Sequence, residues 1–215
     1  MMKVINVENE KIKSILSQIE RYYLSDNVSK LVDDWEMKRL EDSLITSYHP
    51  CSDKYLFEAH KLDVLQFCHP RAVLGISIKD MAYFNLRELV MIETKLLSLG
   101  KIISSTKNSL SIIYPENGYI GWHHNGNAPG YNALFTYSVD GSGNFKYWDR
   151  ETKSITTIQD NPGWNIKVGY FPSIEDENKL FWHAAETKSK RISIAYILDN
   201  EEAWKKATDR ILSKE

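Results

Sequence analysis

Three histidines in the second half of the chain are well suited to chemistry. His123 and His124 are adjacent, and His183 lies in a later apolar run. Imidazole is the commonest metal ligand among side chains. If residues 123 and 124 are extended, their side chains point to opposite faces, so at most one of them can face a shared interior. We therefore consider one member of this pair, together with His183, as candidate metal ligands.

Arg191 follows His183 by eight residues, across the polar segment from Glu186 to Lys190. If the turn centres on Thr187, His183 and Arg191 pair directly in adjacent strands and face the same side, and Ser193 joins them. A buried guanidinium without a partner is destabilising by roughly several kcal/mol. An anionic ligand on Arg191 and a metal on His183 would satisfy such an interior.

The distribution of glycine and proline indicates which elements position these residues. Neither residue type occurs before Pro50, whereas most of the glycines lie between Gly118 and Gly169. This pattern predicts helices first, then strands and turns. Apolar residues at helical spacing predict three helices, over Ile12–Tyr23 with Asn9 as N-cap, through Val28–Trp35, and through Leu86–Leu97 with Asn85 as N-cap and Gly100 as terminator.

After Gly100 the apolar period becomes two, which is typical of β-strands. The strands are predicted over Lys101–Ser105, Ser109–Tyr114, Tyr131–Ser138, Asn144–Asp149, Ser154–Ile158, Asn165–Phe171, Lys179–Ala185 and Arg191–Leu198. Short strands between turn residues indicate an antiparallel sandwich or jelly roll. We expect a single domain over 1–215, with a helical support region (1–100), a jelly-roll core (101–198) and a C-terminal helix (199–215) capped by Asp199 or Asn200.

The ordered residues from 101 to 198 resemble the Fe(II)- and 2-oxoglutarate-dependent oxygenase superfamily. Its members have a double-stranded β-helix (jelly-roll) core, a His-x-Asp/Glu pair and a distal histidine. In this chain His123 and Asn125 stand where the pair belongs, and His183 matches the distal histidine. The resemblance implies that these three residues bind iron, and that 2-oxoglutarate and O₂ are the co-substrates of a hydroxylase.

A second part of the resemblance concerns 2-oxoglutarate. Members of the superfamily bind its far carboxylate through an Arg or Lys on the strand after the distal histidine. Arg191 and Ser193 match the Arg-x-Ser form of this element, and Tyr114 resembles a tyrosine that some members use for the same ligand. The resemblance thus implies that Arg191, Ser193 and Tyr114 bind the co-substrate, while a small molecule or peptide is oxidised.

Asn125 departs from the pattern, because a neutral amide is a weaker ligand for a hard cation than a carboxylate is. Four interpretations are open. Asn125 ligates iron weakly, with 2-oxoglutarate supplying negative charge. His124 is the ligand instead, in a His-x-Gly arrangement like that of halogenating relatives. The Asn125-Gly126 pair deamidates to create an aspartate. The fourth is a barrel without metal chemistry, a non-catalytic binding module that keeps Arg191 for an anionic ligand.

Composition excludes several other classes of function. With 27 Lys and Arg against 29 Asp and Glu, the net charge is −2, so we expect no nucleic-acid partner. The apolar run Ala72–Ile78 is far shorter than the roughly 20 residues of a membrane span. Cys51 and Cys68 are too few for a disulfide framework. We expect a cytoplasmic protein, and the sequence does not indicate its oligomeric state.

Overall fold

The computed structural model describes residues 2–30, 32, 48–61, 72–77, 86–176 and 179–214. The helices are α1 (Glu10–Tyr23), α2 (Asp53–Ala59), α3 (Leu86–Ile102) and α4 (Glu201–Leu212), and residues 26–30 are also helical. The strands are β1 (Lys3–Ile5), β2 (Val73–Leu74), β3 (Ile76–Ser77), β4 (Lys107–Tyr114), β5 (Tyr119–His123), β6 (Gly130–Ser138), β7 (Asn144–Asp149), β8 (Ser154–Gln159), β9 (Gly163–Phe171), β10 (His183–Glu186) and β11 (Arg191–Leu198). Within these ranges, no helix has the length and apolarity that a membrane span requires.

The strands form two antiparallel sheets that face each other. One sheet has six strands in the order β1-β9-β6-β11-β4-β3, and the other has five in the order β2-β5-β10-β7-β8. From β4 to β11, consecutive strands lie in opposite sheets, except that β7 and β8 pair with each other in the five-stranded sheet. This alternation is the jelly-roll arrangement, so the expected fold class, mainly β with N-terminal helices, is confirmed.

Alternation along each strand separates the core into layers. On β11, Ile192 and Ile194 face outward and pack with α1 and α3, whereas Ser193 and Ala195 face the other sheet. A second apolar cluster, which includes Ile112, lies between the sheets. A third covers the outside of the five-stranded sheet together with α2. The six-stranded sheet is therefore buried on both faces, which explains the near-continuous apolar run of β11.

The helix caps follow the sequence closely. Asn9 accepts a hydrogen bond from the backbone N–H of Ile12 at 3.1 Å and caps α1, as predicted. Asn200 accepts one from Ala203 at 2.9 Å, which makes it, and not Asp199, the cap of α4. The predicted cap Asn85 and much of the predicted helix over Val28–Trp35 lie outside the described residues.

The expected strand Lys101–Ser105 is wrong, because α3 continues past Gly100 to Ile102. The chain then turns through Ser104, whose φ of 55° is left-handed, and β4 begins at Lys107. A Cβ at Gly100 would lie 2.5 Å from the carbonyl oxygen of Ser105. Gly100 therefore permits the close return of the chain and does not end the helix.

Short strands from the first hundred residues complete both sheets. Strand β1 pairs with β9, β2 with β5, and β3 with β4. The helical segment and the barrel thus share one set of sheets.

The strand expected over Lys179–Ala185 begins only at His183, because the backbone N–H of Lys179 donates a hydrogen bond to the carbonyl oxygen of Asp176 at 2.7 Å.

Candidate functional site

A cavity of about 280 Å³ lies between the two sheets. The six site residues predicted from the sequence all line it, namely Tyr114, His123, Asn125, His183, Arg191 and Ser193. Strands β5 and β10 and the residues after β5 bring the histidines and Asn125 from one sheet. Strands β4 and β11 bring the other three from the facing sheet. The loop after β5 contributes Asn127 and Ala128 to the wall.

His123 and His183 lie directly opposite each other in the β5–β10 ladder. Their ring centroids are 4.1 Å apart. The register shifts between His183 and Ala185, so that His123 and Ile120 both line the cavity although three positions separate them. This irregularity is the local feature that places the two imidazoles side by side.

Both imidazoles are held by backbone carbonyls two residues earlier in the chain. Nδ1 of His123 lies 2.7 Å from the carbonyl oxygen of Gly121, and Nδ1 of His183 lies 2.9 Å from that of Phe181. A carbonyl accepts only, so each Nδ1 carries the proton and the ring lone pair is on Nε2. This is the tautomer of a metal-binding histidine whose second nitrogen is oriented by the protein.

His183 is enclosed by aromatic side chains. The rings of Phe171 and Phe145 lie 4.8 Å and 5.5 Å from it. Burial lowers the pKa of His183 to about 4, so its imidazole is neutral near pH 7. A neutral imidazole is the form that binds a metal ion.

His124 faces the opposite side of β5 from His123, as the alternation predicted. Its ring packs edge-on against Trp182 at 4.9 Å, and its Nδ1 accepts the backbone N–H of Gly126 at 3.3 Å. It is absent from the cavity lining, which Asn125 joins. The geometry therefore favours His123 and Asn125 over His124 as candidate metal ligands. It thereby disfavours the halogenase-like interpretation, which needs His124 as the ligand.

Gly126 is closely packed against the loop that follows β9. A Cβ at this position would lie 2.8 Å from Leu180 and 2.9 Å from Ile174. The Gly126 nitrogen, whose attack on Asn125 would begin deamidation, already donates a hydrogen bond to His124. A Gly126→Ala change would thus disturb the loop as well as any deamidation.

The expected direct pairing of His183 with Arg191 is wrong. Strand β10 pairs with β5 and β7, whereas β11 pairs with β4 and β6, so residues 187–190 cross between sheets and do not form a hairpin turn. The two side chains nevertheless face the same cavity, because the inner faces of the two sheets oppose each other. Arg191 is only 1% exposed, so it belongs to the interior and not to the polar segment that precedes it.

Arg191 lies beside Tyr114, its register partner on β4. Its Nη1 donates to the Ser193 hydroxyl at 2.8 Å. Six buried side-chain atoms of the described residues lack a hydrogen-bond partner, and two of them, Nη2 of Arg191 and the hydroxyl of Tyr114, belong to residues that line the cavity. Burial raises the pKa of Tyr114 against the opposing effects of the Arg191 charge and the nearby Ser193 hydroxyl, so the Tyr114 hydroxyl stays protonated and can donate. Unsatisfied buried donors are rare, and two beside one cavity indicate a ligand that accepts from both.

Two charged residues behind Arg191 were missed by the sequence analysis. Asp160 Oδ2 accepts from Arg191 Nε at 2.7 Å, and Asp160 Oδ1 accepts from Lys167 Nζ at 2.6 Å. Lys167 also donates to the Thr136 hydroxyl at 3.0 Å. The alternation of β9, in which Lys167 follows the buried Ile166, could have revealed an inward lysine. Asp160 lies in a turn after β8, where no sequence pattern indicated burial.

The three charges shift one another's ionisation. Burial alone would raise the pKa of the Asp160 carboxyl, but the charges of Arg191 and Lys167 outweigh it and hold the pKa below its ordinary value. Burial, together with the charge of Arg191, lowers the pKa of Lys167 to about 8 against the opposing effect of Asp160. Near pH 7 the cluster therefore carries two positive charges and one negative charge.

Another group of metal-ligand types lies outside the cavity. His49, Cys51 and Glu186 bring their ligand atoms within 4.8 Å of one another. Glu186, however, forms an ion pair with Lys146 at 2.5 Å. The Cys51 thiol lies 3.5 Å from the carbonyl oxygens of both Ile120 and Ala185, at the irregular part of the β5–β10 ladder. These contacts explain the group as a structural network.

Comparisons with known proteins find likeness only to solved structures. No protein-family model matches the chain, and no curated protein sequence matches it. A prolyl-4-hydroxylase from Pseudomonas putida aligns at 9% identity and a TM-score of 0.34, covering 86% of this chain and 98% of that one. A prolyl hydroxylase from Trichoplax adhaerens, solved with a hypoxia inducible factor peptide fragment, aligns at 11% identity and a TM-score of 0.37, covering 95% and 86%.

Two further structures align less well. YcfD, a ribosomal oxygenase from Escherichia coli, matches at 15% identity and a TM-score of 0.28, over 54% of this chain and 28% of that one. A carbohydrate binding module from Cellvibrio mixtus matches at 10% identity and a TM-score of 0.24, over 43% and 89%. All of these likenesses are low, so what the cavity does must be derived from its own residues.

Proposed function

We propose that this protein is an Fe(II)- and 2-oxoglutarate-dependent oxygenase that hydroxylates a small molecule or a peptide side chain. One observation carries the proposal. Two buried histidines with oriented tautomers face, across a cavity, two buried donors that lack partners, Nη2 of Arg191 and the Tyr114 hydroxyl. A metal chelated by a keto acid with a distal carboxylate would satisfy both sheets with one ligand.

The donor set fits iron in its two histidines and departs from the usual set at the third ligand. His123 and His183 would contribute imidazole nitrogens, and Asn125 would offer a neutral amide oxygen where non-haem Fe(II) sites typically have a carboxylate. When bound, the iron would couple the decarboxylation of 2-oxoglutarate to the activation of O₂ and the oxidation of the substrate. Because Asn125 is neutral, the negative charge at such a centre would have to come from 2-oxoglutarate.

The chain's own residues would bind the co-substrate and exclude water. Arg191 Nη2 and the Tyr114 hydroxyl would donate to its distal carboxylate. The Ser193 oxygen accepts from Arg191 Nη1, which leaves the Ser193 proton to donate to the same group. The side chains of Leu134 and Phe171 contribute apolar surface to the wall. Water exclusion strengthens each of these charge-assisted bonds.

The test is the anaerobic addition of ferrous iron to protein with 2-oxoglutarate, which should produce a visible charge-transfer band. We expect the band to disappear in His183→Ala and to persist in His124→Gln, since His124 lies outside the cavity. If the unmodified protein shows no band and binds no iron, the protein is a non-catalytic binding module for an anionic ligand. If the band forms, a panel of metabolites and peptides would identify the substrate, with succinate formation and substrate oxidation measured together.

A further inference from the structure

We infer that Lys167 and Asp160 belong to the carboxylate-binding site at Arg191, with Lys167 supplying its net positive charge and Asp160 acting as the positioning residue for the guanidinium. The inference deepens the proposed function, on which the identity of the physiological ligand rests. Neither residue lines the cavity. Their contribution is therefore electrostatic and geometric, and does not involve contact with the ligand.

The first argument is geometric. Asp160 bridges the two cations, with one oxygen on Arg191 Nε and the other on Lys167 Nζ. Together with the Ser193 bond to Nη1, this fixes the plane of the guanidinium and leaves Nη2 as its unsatisfied nitrogen. A guanidinium whose orientation is already fixed by two hydrogen bonds can donate from its remaining nitrogen to a carboxylate at little entropic cost.

The second argument is the count of charges. With Lys167 protonated the buried cluster has a net charge of +1, whereas the Asp160–Arg191 pair alone would be neutral. An uncompensated charge in the interior is unfavourable, and a ligand carboxylate beside Arg191 would neutralise it. Because Asp160 alone would neutralise Arg191, the added charge of Lys167 is what lets the site attract an anion.

The third argument is enclosure. A Cβ at Gly143 would lie 2.6 Å from Asp160 Oδ2 and 3.0 Å from Arg191 Cδ. The Asp160 backbone N–H also donates to the Gly143 carbonyl at 2.8 Å. The backbone just before β7 thus covers the ion pair directly, where a side chain would displace it. A covered ion cluster is weakly screened, so one unit of charge has a large effect on a nearby anion.

If the cluster served the fold alone, removing the Lys167 charge would leave carboxylate affinity unchanged. The inference predicts a different result. Lys167→Met removes one charge and the hydrogen bond to Asp160 Oδ1, but leaves the Asp160–Arg191 pair neutral and hydrogen-bonded, so we expect only a modest change in folding stability. Carboxylate affinity should fall. Thr136→Val is the matched control, because it removes the other hydrogen bond of Lys167 without changing any charge. Lys167→Arg should recover most of the affinity, since it restores the charge.

The experiment is calorimetric titration of the metal-free protein with glutarate, a dicarboxylate that lacks the keto group of 2-oxoglutarate. We expect roughly ten- to fiftyfold weaker binding in Lys167→Met and less than about threefold change in Thr136→Val. Equal affinities in Lys167→Met and the unmodified protein would overturn the inference, as would no binding of glutarate by the unmodified protein. If Lys167→Met does not fold, Lys167→Gln replaces it, judged by the same ratio. The iron charge-transfer band is measured separately, so failure of the proposed oxygenase activity is distinguished from failure of the carboxylate site.

Discussion

The guanidinium carbon of Arg191 lies 5.7 Å from the ring centroid of Tyr114, its register partner on the neighbouring strand. The pairing of β4 with β11 thus sets a cation against the face of an aromatic ring inside the cavity. It also places the two unsatisfied donors on adjacent strands of one sheet. Both side chains can therefore be tested against the same ligand.

Changes at Arg191 should weaken 2-oxoglutarate binding while the fold stays intact. In Arg191→Ala the Asp160–Lys167 pair remains neutral, so we expect a loss in affinity of about a hundredfold without unfolding. Arg191→Lys restores charge but not the fork, and should lose about tenfold. Dissociation constants from the charge-transfer titration measure both. Unchanged affinity in both variants would remove Arg191 from the binding site.

Tyr114→Phe should separate binding from stability. The hydroxyl is buried without a partner in the ligand-free protein, and such a group costs about 1–3 kcal/mol. We expect Phe at this position to raise the free energy of unfolding by about 1 kcal/mol and to weaken 2-oxoglutarate binding severalfold. Denaturant unfolding and co-substrate titration measure the two effects. A destabilised variant with normal affinity would mean that the hydroxyl serves the fold.

Asn125→Asp should tighten ferrous binding, because an anionic oxygen replaces a neutral one at the same position. Activity need not rise with affinity. His123→Ala and His183→Ala should abolish iron binding, whereas His124→Ala should lower stability through lost packing on Trp182 and leave iron bound. Metal content after dialysis provides the readout. Iron affinity that is the same in Asn125→Asp, His123→Ala and His183→Ala would show that none of these residues is a ligand.

Two glycines allow crowding of the ion cluster to be compared with backbone strain. Gly143→Ala would place a methyl group on the Asp160–Arg191 pair, so we expect it to weaken carboxylate binding at least tenfold. Gly163 has a φ of +85° and open space around its Cβ position. Gly163→Ala should therefore cost about 1–2 kcal/mol of stability with little effect on affinity. Equal loss of affinity in both variants would contradict this account.

Carboxylate binding should weaken as pH rises through about 8, where Lys167 loses its proton in the ligand-free protein. The charged groups that face Lys167 are Asp160 and Arg191, and the lowered pKa of Asp160 keeps its carboxylate ionised in this range. For folding the sign is opposite. The unfolded lysine holds its proton to about pH 10.5, so this group's contribution to stability grows from about pH 8 upward. Glutarate affinity between about pH 7 and pH 9 tests the first effect, and Lys167→Met should show a flat profile.

The shared faces of several cavity residues were predictable because local alternation decides which side chains of a strand point the same way, whereas Tyr114 and Asn125 came from the family resemblance. The opposite orientations of His123 and His124, and the shared face of Arg191 and Ser193, follow from the two-residue period of a strand. The partner of a strand is not a local property. That is why the predicted hairpin between His183 and Arg191 was wrong, although both residues reach the cavity.

The ion cluster shows a second limit of sequence reasoning. Gly143 and Asp160 extend the pairing of β7 with β8, and Asp160 reaches Arg191, 31 residues further along the chain, on a strand of the other sheet. No composition or periodicity marks the turn after β8 as buried. The strands β2 and β3, of two residues each, are likewise too short for a periodic pattern to reveal.

Because His183 and Arg191 come from opposite sheets, a small molecule that reaches both must span the interior of the sandwich. Facing sheets pack about 10 Å apart. The separation of the sheets therefore sets the length of the ligand: molecules of matching length bind, and shorter or longer homologues with the same end groups do not. While such a molecule is in place, the sheets cannot part without releasing it. The amide protons of β10 and β11 should accordingly become protected from solvent exchange together as the cavity fills.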